Sequence, residues 1–208
     1  MTYSLTGLLR QMFPPPIKRE LPAAINTSIG VVDYIAGCMN AAQALSTVTV
    51  VADNLLAIPF WSPPYPTTVG RIAFENTGTA GGANANIAIY ENVADVKSLY
   101  PGALVEESGD ISIATAALKT YSSSAVLKSS RLYWMVLNVS SNVVCRAMLG
   151  ISVYPMLGIV KDTTTANPFN EYILVASTYG AMPSTFPVSA AYVSGNVNVP
   201  MLRYQFTA

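Results

Sequence analysis

The densest hydrophobic pattern in the chain runs from Arg131 to Leu149, where RLYWMVLNV and VVCRAML flank the polar break SSN. Runs of β-branched, aromatic and aliphatic residues around so short a break predict the two strands of a hairpin. In the first strand Leu132, Trp134 and Val136 share one face, while Tyr133, Met135, Leu137 and Val139 share the other. Strict alternation would leave one face polar, and neither face is. The pattern therefore predicts a strand covered on both sides. One cover is the opposing sheet of a sandwich, and the second is the N-terminal region or another subunit.

From Thr47 onward the pattern is β almost throughout. It predicts strands at Thr47–Val51, Asn54–Phe60, Val69–Glu75, Asn86–Glu91, Ala103–Glu107, Ile111–Ile113, Leu118–Tyr121, Arg131–Val139, Val143–Leu149 and Leu202–Phe206. Alternation is cleanest in two of them. Ile72 and Phe74 point inward between Arg71, Ala73 and Glu75; Ile87 and Ile89 point inward between Asn86, Ala88 and Tyr90. The small-residue stretch NTGTAGGANA between these strands suits a long hairpin loop. Residues 161–200 read as a loop-rich wrap around the sandwich, with an apolar patch at Ile173–Ala176. Many short strands between Gly, Pro and Asn turns mean an all-β, jelly-roll-like antiparallel sandwich. Its expected core holds Ile72, Phe74, Ile87, Ile89, Leu132, Trp134 and Val136.

The N-terminus is of a different kind. Leu5, Leu8, Leu9, Met12 and Phe13 fall on one face of a short helix, and Pro14-Pro15-Pro16 then forces an extended segment. Residues 1–30 thus read as an anchoring arm, and residues 31–208 as the sandwich domain. Either the helix docks on a partner or it folds back on its own domain. Arg10 interrupts the apolar stretch, so no secretory signal is expected, and the sequons at Asn26 and Asn138 carry no meaning without one. Residues 25–44 have no assignable pattern. Trp61-Ser62-Pro63-Pro64-Tyr65-Pro66 excludes a central strand. It is either a rigid corner between the sheets or a contact surface presenting Trp61 and Tyr65.

Composition narrows the function classes. Charged residues are 11%, hydrophobic residues 51%, and the formal net charge is zero over 208 residues. A neutral chain has little electrostatic attraction for nucleic acid. No apolar run approaches the roughly 18 residues that span a bilayer, so no membrane insertion is expected. The two cysteines, Cys38 and Cys145, read as buried thiols rather than as a disulfide framework.

Catalytic chemistry is not apparent. The chain has no histidine, which removes His-dependent nucleophile systems and most zinc sites. TGTAGG lies between strands with no helix to hold a phosphate. Of the carboxylate pairs, Glu106 and Glu107 are adjacent on a strand and point to opposite faces. Glu75 and Glu91 occupy outward positions on strands expected to be neighbours. Asp110 reads as a turn residue, and Asp162 lies in no metal-binding spacing. No catalytic residue, cofactor or metal is expected.

The order of several short motifs resembles a β-sandwich family of bacteriophage tail-fibre, receptor-binding and head-appendage proteins. These motifs are Arg71-Ile72, a Gly/Ala-rich loop, Ile89-Tyr90, Tyr100-Pro101-Gly102, Leu132-Tyr133-Trp134 and Met182-Pro183-Ser184-Thr185-Phe186-Pro187. The resemblance covers Thr47 to the C-terminus. It implies a virion location, a homotrimer and no catalytic residues. The expected protein is a non-enzymatic appendage mounted on a capsid or tail protein by its N-terminal arm. It acts in host attachment, through a surface glycan, or in capsid decoration. The alternative class is a glycan-binding module or carbohydrate-active enzyme on a jelly roll.

Overall fold

A computed structural model describes residues 33–35, 45–93, 99–148, 170–194 and 198–207. The arm residues Leu5, Leu8, Leu9, Met12 and Phe13, together with Cys38 and Asp162, lie outside the described residues. Among the described residues the regular structure is entirely β. The strands are β1 (Asp33–Ile35), β2 (Leu45–Val50), β3 (Asn54–Trp61), β4 (Thr67–Asn76), β5 (Asn84–Asn92), β6 (Pro101–Glu107), β7 (Ile111–Ser112), β8 (Ala117–Ser122), β9 (Val126–Leu127), β10 (Leu132–Val139), β11 (Val143–Met148), β12 (Asn170–Ala176), β13 (Ala191–Ser194), β14 (Val199–Pro200) and β15 (Leu202–Phe206).

They form two antiparallel sheets, a jelly-roll-like sandwich. The first runs β1-β15-β4-β11-β14, with β2 on β11 and with β8 and β9 on β4. The second runs β13-β12-β3-β10-β5-β6, with β7 on β5. Inward residues of both sheets interdigitate in one core. Val69, Ile72 and Phe74 of β4, Cys145 of β11 and Leu202 of β15 meet Leu56, Ile58 and Phe60 of β3, Ile87 and Ile89 of β5, and Met135 and Leu137 of β10. Each such side chain contributes about 1.5–3 kcal/mol by leaving water.

All ten expected strands are present, with ends moved by a few residues. Five more are found: β1, β9, β12, β13 and β14. The apolar patch Ile173–Ala176, read as part of a wrap, lies in β12 and pairs with β3.

Two expected hairpins are not hairpins. β10 pairs with β3 and β5 in one sheet, and β11 pairs with β2, β4 and β14 in the other. Ser140-Ser141-Asn142 therefore crosses between the sheets. NTGTAGGANA does the same, because β4 and β5 lie in opposite sheets. So does the turn from β2 to β3, where Asp53 adopts φ 56°. These crossings are tied to one another. Ser140 N–H donates to Asn84 O and Asn84 N–H to Ser140 Oγ, both at 2.9 Å. Asn142 Oδ1 accepts Ala52 N–H at 2.8 Å. Buried Asn76 donates to Ile113 O at 2.9 Å and accepts Gly78 N–H at 3.1 Å. Strands that switch sheets at a corner need such side chains to satisfy the backbone groups released from the ladders.

Candidate functional site

The two-faced strand β10 is covered from within the chain. All eight of its residues are buried. Tyr133, Met135, Leu137 and Val139 face the opposing sheet. Leu132, Trp134 and Val136 face the other way, into a second apolar layer with Leu55, Ala57, Ala88, Tyr90, Ile173 and Val175. Met182 and Phe186 complete that layer, with partly buried Trp61, Leu99, Tyr100, Leu104 and Ala190 packed against it. A distant segment of the same chain, around Met182 and Phe186, thus supplies cover for this face; the N-terminal region lies outside the described residues. Leu132, Trp134 and Val136 are core residues, but of this outer layer and not of the space between the sheets. Ala88 and Tyr90 do point away from the sandwich interior, yet both are fully buried.

The covering segment is pinned by directed bonds. Phe186 N–H donates to Gly102 O and Leu104 N–H to Ser184 O, both at 2.9 Å. Tyr90 Oη donates to Pro183 O at 2.7 Å. Tyr100 Oη donates to Pro187 O and accepts Ala190 N–H. Met182 N–H reaches Glu107 Oε2 at 2.8 Å. Phe186 meets the Tyr90 ring edge-on at 5.5 Å and the Tyr100 ring at 5.8 Å. Burial, then the Glu107 charge, raises the Tyr90 phenol above its ordinary range. Gly102 has a steric reason: a Cβ there would lie 3.2 Å from Val93 N and 3.3 Å from Glu91 O.

Trp61 and Tyr65 part company. Residues 62–66 join β3 of one sheet to β4 of the other, so the proline-rich stretch is the corner. Buried Ser62 holds it by donating to Lys128 O at 2.6 Å and accepting Arg131 N–H at 2.9 Å. Trp61 packs against the second layer, whereas Tyr65 is 46% exposed.

The carboxylates are distributed over different elements. Glu106 accepts from Ser123 Oγ and Ser124 N–H, clasping the edge of one sheet to the other. Glu107 accepts from Asn86 Nδ2 at 2.7 Å on the opposite face. Glu75 and Glu91 are not on neighbouring strands: β4 and β5 belong to different sheets. Glu75 binds Arg146 at 3.0 Å and Arg203 at 3.2 Å, while Glu91 binds Lys128 at 2.8 Å. Asp110 accepts the Tyr179 phenol at 2.6 Å. Among the described residues no group of three or more His, Cys, Asp or Glu side chains is placed to hold a metal ion. The sequon residue Asn138 is buried at the end of the second layer, 2% exposed.

The chain matches no protein-family model and no curated protein.

Sequence reasoning missed the second layer as a unit. Its signal was present in Met182, Pro183, Phe186 and Pro187, which lie in a stretch without periodicity.

Proposed function

We propose that this chain is a non-enzymatic bacteriophage virion protein, a compact β-sandwich appendage mounted through residues 1–30 and acting in host attachment or capsid decoration. One observation carries the reading. Of the motifs on which the resemblance rests, four, spread over about a hundred residues of sequence, contribute Tyr90, Tyr100, Leu132, Trp134, Met182 and Phe186 to one apolar layer, whereas Arg71-Ile72 and the Gly/Ala-rich loop lie outside it. Motif residues that meet in one layer support the reading that they belong to one structural device. The sandwich and the low charge of the chain suit a protein that works by contact. A trimer draws support from the resemblance alone, since the two-faced strand no longer calls for a partner.

The test is location. Antibody raised against the purified protein should decorate intact phage particles at the head or tail in electron microscopy. A chain lacking residues 1–30 should keep the β circular dichroism spectrum but fail to incorporate. Absence of label from particles, with label found on secreted soluble material, would favour the glycan-binding class instead.

A further inference from the structure

We draw no further inference here: the strongest candidate, the polar cluster that buried Asn86 and Asn138 form with Glu107 at the end of the outer apolar layer, where Asn138 Oδ1 has no hydrogen-bond partner, carries nothing because Asn86 and Glu107 are already satisfied by each other and by the covering segment, and nothing in the structure shows what would reach that oxygen.

Discussion

The indole Nε1–H of Trp134 donates to Oδ1 of Asn92 at 3.0 Å. The same oxygen accepts Tyr100 N–H at 3.0 Å, so one carboxamide ties β10 to the start of β6 beneath the second layer. Trp134→Ala should lower stability by about 3–5 kcal/mol, the usual cost of emptying a buried tryptophan site. Asn92→Ala should cost about 1–3 kcal/mol, because the buried indole N–H loses its partner. Urea unfolding measures both, and an unchanged midpoint for Trp134→Ala would remove it from the core.

Phe186 carries the covering segment. Phe186→Ala should cost about 3–5 kcal/mol. It should also raise amide exchange at residues 182–187 before the sheets themselves open, because the rings of Tyr90 and Tyr100 lose the edge they hold. Hydrogen exchange resolved by mass spectrometry distinguishes this local loosening from global destabilisation.

Cys145 should impose an alkaline limit. Burial pushes its thiol from the ordinary 9.0 up to about 12. The folded state thus holds the proton more tightly than the unfolded state does. That contribution is complete below about pH 9 and is lost as pH rises toward 12. Buried tyrosines add their own losses at high pH, so the comparison is with Cys145→Val. Between about pH 8 and about pH 10.5, wild type should lose on the order of 2 kcal/mol more than this variant. In native protein near neutral pH, alkylation and peptide mapping should leave Cys145 unmodified.

Glu75 holds Arg146 and Arg203 together on the outer face of the first sheet. Glu75→Gln leaves two guanidiniums, on side chains 33% and 22% exposed, sharing a neutral amide. The expected loss is about 1–2 kcal/mol, discounted for solvent screening. Wild type and variant should converge as salt rises, because added ions screen the lost attraction. Parallel unfolding curves at all salt concentrations would mean that the triad is electrostatically inert.

How far the fold could be read in advance depended on the kind of information alternation carries. The inward placement of Ile72 and Phe74, and the outward placement of Arg71 and Glu75, followed from period two, because successive side chains on a strand must point opposite ways. The same rule showed that β10 is apolar on both faces. Nothing in it names the strand across the ladder, and so SSN and NTGTAGGANA, each compatible with a hairpin, prove to be crossings between sheets. Trp61 was a candidate contact residue because it sits in a proline-rich break, and its packing against a layer completed by Met182 and Phe186 is a long-range fact.

The amino-acid sequence by itself determined the all-β class, the positions of ten of the fifteen strands described and the alternation of faces along them, since these depend on neighbours one or two residues away. Tertiary structure decided which strands share a sheet, what covers Trp134 and Tyr90, and which carboxylate meets which cation. Those outcomes depend on which distant segments can bury apolar faces and satisfy backbone groups at once. For Trp134, that solution comes from residues about fifty positions further along the chain.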